Sequence, residues 1–79
     1  MSLDYEVIVK TKEGSIFIQY NKEEEAVDAL TEIYRTLVTE DYLYLENKSI
    51  KVSWLKDSLW IVGMLVRKED FELAYLIKR

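Results

Sequence analysis

The stretch from Asn21 to Val38 constrains the fold more than any other part of the chain. Ala26, Val27, Leu30, Ile33, Tyr34, Leu37 and Val38 recur at helical spacing and draw one apolar stripe. Asn21 stands where an N-cap is wanted, and Glu24 follows three residues later, the spacing of a capping box. Glu23, Glu24 and Glu25 set negative charge at the positive end of the helix dipole. A helix with one apolar stripe covers one face of a sheet and no more. The rest of the chain must supply that sheet and leave its other face to something else.

The flanking segments alternate with a period of two. Tyr5 to Thr11 reads as a strand with Tyr5, Val7, Val9 and Thr11 on one face and Glu6, Ile8 and Lys10 on the other. Glu13-Gly14 is a natural two-residue turn into Ser15–Tyr20, which would pair Thr11 with Ile16, Val9 with Ile18 and Val7 with Tyr20. After the helix, Tyr42–Leu45 and Ser49–Trp54 read as a second hairpin turning at Asn47-Lys48, with Leu45 opposite Ile50 and Leu43 opposite Val52. Lys56-Asp57-Ser58 is a turn signal. Leu59–Val66 is a strand-length apolar run broken by Gly63, which points to a bulge or a close backbone approach. Phe71 to Arg79 fits a strand better than a helix, because Phe71, Leu73, Tyr75 and Ile77 alternate without a break. The expected fold is α+β: an antiparallel sheet of about five or six strands, in the order β-β-α-β-β-β-β, with one central helix packed on one face. Residues 1–79 are expected to form a single domain.

Composition removes several chemistries. The chain has no cysteine and no histidine, so a cysteine-type zinc site, a thiol redox centre and a histidine general base are excluded. At 79 residues one core contributes only about 3–5 kcal/mol net. With neither disulfide nor metal, dense packing or oligomerisation must supply the stability, and 49% hydrophobic residues provide material for both. Net charge is −4: the first forty residues carry four basic and nine acidic groups, −5, and the remainder seven and six, +1. Such a balance disfavours nucleic acid, which calls for a basic stripe. No apolar run approaches the length of a transmembrane helix, and Asp4 and Glu6 break any signal-peptide pattern, so a cytoplasmic protein is expected.

Few constellations carry chemistry. Gly14 and Gly63 are isolated and make no phosphate-cradling loop, and the serines have no base to activate them. Glu24, Glu25, Asp28 and Glu32 form an acidic patch on the helix, with no second element to complete a metal site. Neither catalytic residues, nor a cofactor, nor a metal is expected. The informative feature is an apolar excess. One helix cannot cover Ile8, Phe17, Tyr42 and Tyr44 on the reverse face together with the last two strands. We therefore expect a small non-enzymatic protein-interaction module. It would self-associate as a homodimer through the uncovered face or the C-terminal strands, with Phe17, Tyr42, Tyr44, Trp60 and Tyr75 at the interface. The alternatives are an acidic inhibitor or nucleic-acid mimic, binding a basic protein through the helix face, and a small-ligand carrier or minor enzyme with a pocket between helix and sheet.

Overall fold

A computed structural model describes residues 4–55 and 61–79. The elements are β1 (Tyr5–Thr11), β2 (Gly14–Tyr20), α1 (Glu23–Thr39), β3 (Tyr42–Val52), β4 (Ile61–Arg67), a single 3₁₀ turn (Lys68–Asp70) and β5 (Phe71–Lys78). The fold is α+β, as the sequence leads one to expect. Among the described residues the sheet has five strands, all antiparallel, in the spatial order β4-β3-β2-β1-β5. The helix lies over one face, where Ala26, Ile33 and Leu37 meet Val7, Val9, Ile16, Ile18, Leu43, Leu45, Ile50, Val52, Val66 and Ala74 in one core.

The first hairpin keeps its expected faces but not its register. Thr11 pairs with Gly14, Val9 with Ile16 and Val7 with Ile18, so the loop is Lys12-Glu13 and Gly14 belongs to β2. This is a slip of two residues, which preserves which side chains face inward; only an odd slip would invert them. Thr11 explains the choice. Its hydroxyl donates to the Gly14 carbonyl (3.1 Å) and accepts from the Glu13 N–H (3.2 Å), closing the tighter turn. Gly14 has φ +148°, and a Cβ there would lie 2.5 Å from Ser53 Oγ and 2.9 Å from Trp54 Cε3. Glycine is needed here both for its backbone angle and for the approach of Trp54.

The helix also begins later than Asn21 suggests. Lys22 is the N-cap and makes no side-chain capping bond. Its carbonyl accepts the first helical bond, from the Ala26 N–H. The chain needs both Asn21 and Lys22 to turn out of β2, so Asn21 falls one position too early and no capping box forms with Glu24. The acidic first turn remains to oppose the dipole. The stripe is narrower than its spacing implies. Ala26, Ile33 and Leu37 are buried and Leu30 packs beside them, whereas Val27 and Tyr34 are half exposed and Val38 is largely exposed.

The second hairpin does not form. Its two segments are joined as one strand, β3, which runs through positions 47 and 48 without turning. Ile50 and Val52 pair with Ile18 and Ile16 on β2, while Tyr42 to Glu46 pair only with β4. Leu43 and Leu45 are odd-numbered and Ile50 and Val52 even-numbered, yet all four are buried in the same core. In an unbroken strand they would point to opposite faces. The register irregularity between Glu46 and Ile50 marks where the alternation is reset. The strand thus bends and resets its alternation at one place. Counted as two segments, it brings the strand number to the six of the sequence reading.

The C-terminal segment is a strand, β5, paired with β1. Register shifts between Lys10 and Thr11, so Phe71 packs against the core while Leu73, Tyr75 and Ile77 lie across from Lys10, Ile8 and Glu6. Ala74 and Leu76 supply the inward side.

The link from β4 to β5 forces the sheet to curl. These strands stand at opposite ends of the order, about 19 Å apart in a flat sheet. Four residue steps, from Arg67 to Phe71, span at most about 14 Å. The sheet must therefore wrap until the end of β4 reaches the start of β5. Two backbone bonds hold the junction: Lys68 N–H to the Asp41 carbonyl (2.8 Å) and Lys12 N–H to the Asp70 carbonyl (2.9 Å).

Candidate interaction surface

The face turned away from the helix divides into two parts. On β1, β2 and β5 it closes over itself. Ile8 is flanked by its cross-strand partners Phe17 and Tyr75 and is only 7% exposed. Phe17 and Tyr75 are themselves half-buried. Beside them Glu6 is 2% exposed, lying between Gln19 and Ile77 on the neighbouring strands. Its carboxylate takes a hydrogen bond from Gln19 Nε2 (3.3 Å) and a charge-assisted one from Arg79 Nη2 (2.8 Å). A buried charge so paired is held, whereas an unpaired one would cost several kcal/mol. Glu6 is the residue that pattern reading misses. Its partner Arg79 lies 73 positions away, and no local signal announces that β1 and β5 are neighbours.

The other part, on β3 and β4, stays open. Tyr42 is 56% exposed and Tyr44 57%. On β4, Leu65 pairs with Tyr44 and is 62% exposed, and Val62 is 65% exposed. Tyr44 lies over Gly63, where a Cβ would collide with its hydroxyl and ring. The glycine is thus a close-approach position, and the aromatic ring takes the place of its missing side chain. Of the five aromatics expected at an interface, Tyr42 and Tyr44 fall in the open part and Phe17 and Tyr75 in the closed part; Trp60 lies outside the described residues. Leu65, opposite Tyr44, completes the open patch, and the apolar run of β4 is the signal that could have singled it out.

The two edges of the sheet differ as well. On β5, Ala74 turns its N–H and C=O away from β1, and Tyr34 of the helix serves both. The Tyr34 hydroxyl donates to the Ala74 carbonyl (2.9 Å) and accepts from its N–H (3.0 Å). The Tyr34 ring meets Phe71 edge-on, with centroids 5.7 Å apart. On β4, none of the described residues adds a strand to the outer edge.

The acidic residues do not converge. Glu24, Glu25, Asp28 and Glu32 are all exposed along the helix, and Glu32 is paired with Arg35 at 2.5 Å. Among the described residues no three acidic side chains gather as a metal site would need. A depression of about 610 Å³ is lined by Asp41, Tyr42, Arg67, Lys68 and Glu69 where β4 meets the 3₁₀ turn. Its Arg67 guanidinium is already engaged by Glu69. A cleft of about 270 Å³ lies between the helix and the first half of β3, with walls that include Ile18, Tyr20, Ile33, Leu43 and Leu45. Its two carboxylates, Glu32 and Glu46, belong to exposed residues. Among the described residues no helix is long and apolar enough to cross a membrane.

No protein-family model, curated protein or solved structure matches the chain.

Proposed function

We propose that the chain is a non-enzymatic protein-interaction module that self-associates as a homodimer. One observation carries the reading: the exposed large side chains Tyr42, Tyr44 and Leu65 lie together on β3 and β4. On the rest of the reverse face Ile8 is buried and Phe17 and Tyr75 are half-buried, while Leu73 is 48% exposed. Soluble monomers rarely leave a contiguous apolar patch of more than a few hundred Å² in water, and a two-fold dimer is the commonest way to cover one. The acidic helix face is the weaker candidate for a partner surface. Glu23, Glu24 and Glu25 fill the first turn, where they act on the helix dipole, and Glu32 already has Arg35. Sedimentation velocity over a concentration series tests the proposal. A dimer at tens of micromolar is expected, and a monomer throughout that range overturns it.

A further inference from the structure

Tyr34 does at the β5 edge what a neighbouring strand would do. In an antiparallel ladder a hydrogen-bonded residue exchanges both of its backbone bonds with one residue across. Ala74 turns both groups away from β1, and the Tyr34 hydroxyl answers both at once, accepting from the N–H (3.0 Å) and donating to the carbonyl (2.9 Å). Among the described residues no strand lies beyond β5. The ring meets Phe71 edge-on, which aims the hydroxyl at the strand. Tyr34 is nonetheless 42% exposed, so burial in the core does not account for its position.

We propose that Tyr34 is an inhibitory plug: its hydroxyl keeps β5 from pairing antiparallel with β5 of a second copy. Ala74 lies near the middle of β5, Phe71–Lys78, so the plug interrupts the edge where a ladder would have to be continuous. Charge sets which strand is kept out. Asp70 and Glu72 stand at the start of β5, and Lys78 and Arg79 at its end. An antiparallel copy lays the acidic start of each strand against the basic end of the other, whereas a parallel copy sets like against like. With Ala74 at the centre, Asp70 falls opposite Lys78, Phe71 opposite Ile77 and Leu73 opposite Tyr75. The register shift of β5 against β1 lies before Leu73 and leaves Leu73 to Lys78 regular. This edge is separate from the β3–β4 patch, and the plug does not rest on the dimer reading.

Tyr34→Phe removes the plug and keeps the ring. Sedimentation velocity of this variant is expected to show species larger than those of the wild type, growing with concentration. In dilute solution its Ala74 amide should exchange about tenfold faster or more. The chain has no cysteine, so a single Leu73→Cys reports position cleanly. A short bis-maleimide should join two such chains in the Tyr34→Phe background and not with Tyr34 in place. Asp70→Lys in the same background sets like charges at both ends of the pairing and should weaken the new association about fivefold; adding Lys78→Asp should restore it. A Tyr34→Phe chain that sediments as the wild type does, or whose association ignores the charge exchange, overturns the proposal. So does a wild-type Ala74 amide that exchanges as fast as an unbonded one, a measurement that stands should the variant fail to fold. The β3–β4 dimer is read from the wild type alone, so its failure and the failure of the plug are told apart.

Discussion

The two ends of this sheet solve the same problem differently. At β5 the helix reaches over and fills the backbone groups of Ala74 with the hydroxyl of Tyr34, while Arg79 folds back onto Glu6. At β4 none of the described residues adds a further strand, and Val62 and Leu65 are exposed. One end is closed by polar side chains, and the other carries exposed apolar ones. On the reverse face Tyr42, Tyr44 and Leu65 of β3 and β4 are more than half exposed. The reverse face was expected to be open throughout, but Phe17 and Tyr75 close over Ile8 wherever β1, β2 and β5 lie side by side.

The residue that joins the two ends offers the strongest way to break this contrast. Ile50 pairs with Ile18 on β2 and Ile61 on β4 and is 1% exposed. Ile50→Ala should cost about 2–5 kcal/mol in urea unfolding. It should also speed hydrogen exchange in β4 more than in β5, since it loosens the attachment of one end only. Next in size is Arg79→Ala. It leaves the Glu6 carboxylate buried with Gln19 as its remaining side-chain donor, at about 1–3 kcal/mol; Glu6→Gln in the same background should recover part of the loss. Tyr34→Phe removes the hydroxyl and with it two hydrogen bonds, about 0.5–1.5 kcal/mol for each. It should make the β5 edge resemble β4, read as faster amide exchange at Ala74 and as new association at high concentration. The smallest effect belongs to Leu65→Ser, within about 0.5 kcal/mol of wild type in monomer stability, as for exposed sites generally. Its consequence should appear only in the dimer equilibrium.

Much of the architecture could be read from residue order because parity is robust. Val7, Val9, Ile16 and Ile18 share the buried face in either register of the first hairpin, since the slip is even. Leu43, Leu45, Ile50 and Val52 share it whether the chain turns at Asn47-Lys48 or bends as one strand, since either course resets the alternation there. What order did not reveal was pairing at a distance. Nothing local marks β5 as the neighbour of β1. The closure of Ile8 by Tyr75, the clasp of Glu6 by Arg79 and the sealing of Ala74 by Tyr34 therefore all went unread. The candidate surface was legible to the same degree. Tyr42 and Tyr44 lie in the open patch, Phe17 and Tyr75 in the part that long-range pairing closes.

The pairing of β1 with β5 also sets a schedule for the chain. Among the described strands β1 is made before the others, and its second neighbour after them. Until Phe71–Lys78 has left the ribosome, β1 is itself a bare edge, exposing the backbone groups that later bind β5. The helix arrives earlier, but the Ala74 groups that Tyr34 will seal do not yet exist. Contacts across some seventy residues close slowly compared with a local hairpin. During synthesis β1 is thus open to neighbouring nascent chains, and completing the eight residues of β5 withdraws it.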